Sequence, residues 1–235
     1  MSTATGAAAS AAPDVRKPYR FLTSAIGRKQ IMAVSGLVWS GFVMAHMAGN
    51  LLMFLGPDAY NRYGHALVSN PAIYVAEAAL VITILMHFFN GIALTIENRR
   101  ARPTKYAMAP NGEKAPRFQS RFMVFHGILL AVFIVWHLIT FKFGPMYMTT
   151  VNGVEMRDLY RLLVEVFQQP FYVAFYAVCM VAVGLHLSHG FYSAFASLGV
   201  FHPKWAPTLN RAGIAYAVVV AAGFISQPVY IFLWH

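Results

Sequence analysis

Five long apolar blocks, each bordered by charged residues, limit what this chain can fold into more than any other feature. They lie between Lys29 and Asp58, between Glu77 and Glu97, between Arg121 and Lys142, from Glu165 to Lys204, and from Arg211 to the C-terminal His235. Each holds the roughly 20 residues that a helix needs to cross a bilayer. An unpaired backbone group in lipid is so costly that such spans are helical. Only 11% of the residues are charged, against about 25% in soluble domains, which excludes a water-soluble fold. The expected class is an all-α membrane protein with five transmembrane helices. The fourth block, about 38 residues long, is too short for two spans and a turn. It predicts one long or tilted helix ending near Gly199.

The net charge of +10 would point to nucleic acid in a soluble chain. Here the charges cluster at span ends, so they are topology signals. Arg16, Lys17, Arg20, Arg28 and Lys29 precede the first span. Arg99, Arg100, Arg102, Lys105, Lys114, Arg117 and Arg121 fill the link between the second and third, and Lys204 and Arg211 join the fourth to the fifth. The opposite side holds only Arg62, Lys142, Arg157 and Arg161. The positive-inside rule places the N-terminus and both basic links in the cytoplasm, and the C-terminus outside. Residues 1–24, rich in Ala, Ser and Thr, are expected to form a disordered cytoplasmic N-terminus. They lack the apolar stretch of a secretory signal. Residues 25–235 are then one membrane domain, with room for a short interfacial helix in Gly56–Ser69. No phosphate loop or dinucleotide fingerprint occurs. Cys179 is the single cysteine, which excludes a disulfide framework, a cysteine-ligated iron–sulfur cluster and covalent haem attachment through Cys-x-x-Cys-His.

The histidines carry the chemistry. Nine are present, and His46, His87, His126, His137 and His186 fall inside spans, with His189 just beyond. An ionisable side chain in a span is a functional hypothesis by default, since its burial is costly. A satisfied hydrogen bonder is the plainer alternative for any one of them, but each of the first four spans supplies at least one. Counted from the cytoplasmic ends, His46 and His137 lie roughly 25 Å deep, and His87 and His186 roughly 18 Å, at about 1.5 Å per residue. Depth thus pairs the first span with the third and the second with the fourth. Two facing imidazoles at each of two levels suit two bis-histidine haems, non-covalent and therefore b-type. Zinc would need three or four ligands at one point.

Local strings agree. His87-Phe-Phe-Asn-Gly91 and His186-Leu-Ser-His-Gly190 both place glycine at i+4, on the ligand's own helix face. Glycine there leaves room for a flat macrocycle, although small residues also serve helix packing. This echo favours His186 over His189 as partner of His87. His126 sits about 8 Å from the cytoplasmic edge, too shallow to pair with His46, and is assigned to a haem propionate or the backbone. Arg28, Arg99, Arg100 and Arg121 are further propionate candidates, with helix anchoring as their commoner role.

The order and spacing of these strings resemble a known family. Gly27-Arg28-Lys29, His46-Met-Ala-Gly-Asn50, His87-x-x-Asn-Gly91, Trp136-His137-Leu-Ile-Thr-Phe and His186-Leu-Ser-His-Gly-Phe-Tyr192-Ser-Ala-Phe resemble the di-haem cytochrome b anchor of succinate dehydrogenases and fumarate reductases, the type with one five-helix subunit. The resemblance runs from about Ala25 to the end. It implies a distal haem held by His46 and His137 and a proximal haem held by His87 and His186. It also implies a flavoprotein with FAD that carries the dicarboxylate chemistry. An iron–sulfur subunit on the cytoplasmic face, menaquinone or another quinone, and a bacterial cytoplasmic membrane complete the expectation. Glu77, Asn50, Tyr63 and His65 are candidates for the quinone pocket. For Glu77, a favourable interaction with its helix dipole is the alternative. Two competing functions stay open. One is the cytochrome b anchor of another respiratory oxidoreductase, which usually has four spans. The other is a proton-coupled transporter or channel using the histidines as a relay, although no matched helix breaks divide the chain in two.

Overall fold

The computed structural model describes residues 18–101, 118–200 and 202–235. Most of the N-terminal segment and the basic link, with Arg16, Lys17, Arg102, Lys105, Lys114 and Arg117, lie outside the described residues. A short helix α1 (Pro18–Thr23) leads into α2 (Ala25–Asn50), which tightens into a 3₁₀ turn at Leu51–Leu55. Next come α3 (Pro57–Val68), α4 (Ala72–Arg100) and α5 (Phe118–His137), whose end widens into a π-helical turn at Leu138–Lys142. A hairpin of β1 (Met148–Val151) and β2 (Val154–Arg157) precedes α6 (Leu159–Phe167), α7 (Pro170–Ser197) and α8 (Ala206–Trp234). Five of these helices, α2, α4, α5, α7 and α8, are long and apolar enough to cross a membrane. The protein is an all-α membrane bundle.

Local chemistry explains the boundaries. Ser24 caps α2 by accepting the Gly27 N–H at 3.1 Å. The fourth apolar block resolves into two helices, because its first residues belong to α6. Gln168 and Gln169 interrupt the chain, and Pro170 opens α7 at the position where a missing N–H costs nothing. That helix ends as the sequence predicts. Gly199 takes φ 75°, the Val200 N–H bonds the Phe195 carbonyl at 3.1 Å, and the Gly199 N–H bonds that of Ala196 at 3.3 Å. This is a Schellman cap. Residues 18–23, expected to be irregular, are helical. The anticipated interfacial helix is α3, started by Pro57 and Asp58.

Within the bundle α7 packs on α8, α5 and α2, and α2 also packs on α4. Small residues set the α7–α8 distance: a Cβ on Gly184 would sit 3.1 Å from the Ala221 Cβ, so the helices meet nearly backbone to backbone. Helix α4 has no buried residue, and Tyr74, Val75, Ile82 and Phe89 are each more than half exposed. In a bilayer such a surface faces acyl chains.

The most tightly packed cluster lies at one end of the bundle, where Met53, Leu162, Leu163, Val166, Phe167, Tyr176 and Ile231 pack together. It joins the 3₁₀ turn and α6 to the nearby ends of α7 and α8, and forms the core of a cap. Asn61, 2% exposed, ties α3 into this cap. Its amide donates to Asp158 Oδ1 at 2.8 Å, and its carbonyl oxygen accepts the Tyr160 N–H at 2.9 Å. Asp158 also caps α6 by accepting the Arg161 N–H at 3.0 Å. The hairpin turns on Asn152-Gly153, with φ 51° and 79° and Val151 paired to Val154. Positive φ at both central residues is what a two-residue type I′ turn requires.

Candidate functional site

Four histidines from four spans meet in two pairs. His46 on α2 and His137 at the end of α5 have ring centres 5.8 Å apart, with planes at 85°. His87 on α4 and His186 on α7 are 6.1 Å apart, with planes at 58°. These are the pairs that depth along the spans puts together. The levels are distinct: His87 packs beside Ser35 of α2, eleven residues before His46, which is roughly 16 Å along the helix.

Three of the four rings have polar neighbours at a ring nitrogen. The Ser35 hydroxyl donates its one proton to the Ile31 carbonyl at 2.6 Å. Its oxygen lies 3.2 Å from His87 Nδ1, so it accepts the Nδ1–H and leaves the Nε2 lone pair for a ligand. His137 Nδ1 is 3.3 Å from the Tyr176 hydroxyl. At His46 the Asn50 amide donates to the His46 carbonyl at 2.8 Å, and lies 3.3 Å from Nδ1. Asn50 Oδ1 accepts the Tyr60 hydroxyl at 2.7 Å. His186 Nδ1 and His126 Nδ1 are buried without a hydrogen-bond partner among the described residues.

The surroundings are apolar and aromatic. Phe42 stacks on His46 at 5.3 Å with planes 15° apart. Phe224 adjoins the same ring at 5.9 Å, and Phe133 and Phe141 flank His137 at 5.7 and 5.3 Å. At the other level a Cβ on Gly36 would lie 3.0 Å from His87 Cε1, and one on Gly127 would lie 4.0 Å from His186 Cε1. Glycine at 36 therefore lets α2 approach the His87 ring, whereas position 127 would seat a Cβ in ordinary contact with His186.

The donor set decides which metal group fits. Nitrogens about 2.0–2.1 Å from one shared metal ion put two imidazole centres roughly 6.3 Å apart, close to both observed spacings. Among the described residues no group of three or more His, Cys, Asp or Glu converges to hold a metal ion. Zinc, which takes three or four protein ligands, is poorly served. A haem iron asks the protein for no more than two imidazoles, and each pair would supply that donor set. Of the echoed glycines, a Cβ on Gly190 would meet nothing within 4 Å, whereas one on Gly91 would meet Met32 Cε at 3.5 Å. Of the two, only Gly190 has open space where a Cβ would sit.

The remaining candidates have other neighbours. Arg28 pairs with Glu97 at 2.7 Å, linking α2 to α4. His189 Nε2 is 3.1 Å from the Ser193 hydroxyl. Tyr63 lies against Gly49, and Asn50 is bound to His46 and Tyr60, so both stand at the C-terminal end of α2. His65 contacts Ser69 one turn along α3, at 3.3 Å. Glu77 is ion-paired with Lys142, joining α4 to the π-helical turn. The four quinone-pocket candidates thus divide, with Asn50 and Tyr63 near the His46 level and Glu77 and His65 engaged elsewhere.

Ser35, Tyr60 and Tyr176 are missing from the reading of the sequence. A signal existed for one of them: Ser35 precedes His46 by eleven residues, about three full turns, which puts both on one face of α2. No family model, curated protein or solved structure matches the chain.

Proposed function

We propose that the protein is the haem-binding membrane anchor of a succinate:quinone oxidoreductase, working as a succinate dehydrogenase or quinol:fumarate reductase. In this reading it passes electrons between an iron–sulfur subunit and membrane quinone through two b haems. The observation that carries it is the pairing of His46 with His137 and of His87 with His186 at two levels of one bundle. Bound haem supplies a one-electron ferric–ferrous couple. The chain's own residues do the rest. The four imidazoles would hold the iron of the two groups, Ser35 and Tyr176 orient two of them, and the phenylalanines would keep water from the His46–His137 pair. Asn50 and Tyr63 border the quinone approach, while Glu77 and His65 have other partners. The dicarboxylate chemistry belongs to a partner flavoprotein holding FAD, beside the iron–sulfur subunit. In this reading both partners sit on the cytoplasmic face of a bacterial inner membrane, the side to which the positive-inside rule assigns the basic links.

The test is a pyridine haemochrome titration with a reduced-minus-oxidised visible spectrum of the purified chain. Two b haems per chain are expected, and one fewer in His87→Ala or His186→Ala. Folded wild-type protein without haem would overturn the reading and return the histidines to a proton relay or to packing.

A further inference from the structure

We infer that the cavity between the adjoining ends of α7 and α8 is a binding site for an anionic phospholipid. The cavity, of about 290 Å³, is lined by Tyr192 of α7 and by Ala206, Pro207, Asn210 and Arg211 of α8. Among its described lining residues the one formal charge is the Arg211 guanidinium, whose planar fork matches phosphate geometry. Among the described residues no acidic side chain pairs with Arg211. The described acids lie on α3, α4, β2 and α6 or its cap. The site therefore has a cation to complement and Lys204 close by in sequence, and among the described residues no carboxylate lines it to repel an anion. Tyr192 and Asn210 carry polar groups on the two opposing walls.

Position and shape make the occupant a lipid. The cavity lies at the start of a membrane-spanning helix, next to Trp205, which is 69% exposed. Exposed tryptophan at a span end marks the headgroup level. Arg211, Ile214 and Val218 follow at i, i+3 and i+7 on one helical face. Ile214 and Val218 are 43% and 60% exposed, and this stripe extends roughly 10 Å from the cation toward the bilayer core. A phosphodiester at Arg211 with an acyl chain along Ile214 and Val218 satisfies both parts. A soluble phosphate would use only the first, and a zwitterionic headgroup would bring its own cation toward Arg211. The inference stands whether or not the histidines hold haem.

The experiment is native mass spectrometry of the full chain released from mixed phosphatidylglycerol and phosphatidylcholine nanodiscs. Wild type should retain phosphatidylglycerol preferentially. Arg211→Gln should lower that retention about fivefold, the effect of one interfacial cation, while Arg211→Lys keeps most of it. Arg62→Gln removes the same charge from α3 and should change nothing. Phosphatidylglycerol with a photoreactive acyl chain should label wild type at Ile214 or Val218, a readout that requires no variant to fold. Equal losses in Arg211→Gln and Arg62→Gln, labelling spread over α4, or displacement of the lipid by millimolar inorganic phosphate would each overturn the proposal. So would loss of the lipid when a protein subunit binds the same end of α7 and α8.

Discussion

Replacing Gly36 by alanine tests whether His87 is a held ligand. The new Cβ would lie 3.0 Å from His87 Cε1 and 3.4 Å from Nδ1. Non-bonded carbons settle at about 3.5–4.0 Å, so the ring must retreat by roughly 0.5–1 Å. A metal–nitrogen bond tolerates about 0.2 Å, and the same retreat stretches the 3.2 Å contact with Ser35 beyond hydrogen-bonding range. Loss of an orienting partner alone typically lowers metal-site affinity about 10–100-fold. His46 lies ten residues further along α2, roughly 15 Å away, so the His46–His137 pair should be untouched. Haemochrome stoichiometry should fall from two toward one per chain, and a redox titration should lose one wave. Two unchanged waves in a folded variant would refute the claim that His87 is positioned for iron. Equal weakening of both waves would refute the independence of the two levels. Ser35→Ala should shift the same wave by less, since it removes the hydrogen bond without the clash.

Three predictions concern the cap. Asn61→Ala leaves the Tyr160 N–H and an Asp158 oxygen short of partners and should destabilise the cap by about 2–4 kcal/mol. Hydrogen exchange should then accelerate from 159 to 167, and unchanged exchange would refute Asn61 as its anchor. Gly153→Ala places an L side chain at φ 79°, costing roughly 1–2 kcal/mol, so the amides of β1 and β2 should exchange faster with no change in the bundle. Glu165 has its carboxyl held below the ordinary value of 4.5, first by a hydrogen bond with Tyr147 and then by one from Arg161. A lowered folded-state pKa stabilises fully above about pH 4.5 and is lost as pH falls through the folded value. Wild type should therefore outlast Glu165→Gln in thermal unfolding at pH 7, with the gap closing below pH 4.5. A gap independent of pH would refute this assignment.

Much of the architecture was legible in the residues. Apolar runs long enough to span, Pro57 before α3 and Gly199 after α7 each signal their element through local physics alone. The histidine pairs followed from counting, because a helix rises uniformly and depth can be read from the nearest charged end. The hairpin was missed although Asn152-Gly153 is a strong turn signal, since β1 and β2 are only four residues each and follow an apolar span. The break before Pro170 was missed because α6 is itself amphipathic and extends the same hydrophobic run.

What the sequence determined by itself was the number of spans, their alternation and the level of each histidine, all consequences of chain geometry and the cost of polar groups in lipid. Which face each histidine presents was left to tertiary packing. In lipid every face of a span is equally apolar, so periodicity cannot separate the interior from the exterior as it does in water. Glycines, Ser35 and Tyr176 made that choice by letting particular helices approach. The cap was decided in the same way, where Asn61 holds Asp158 and the Tyr160 amide across nearly a hundred residues of chain.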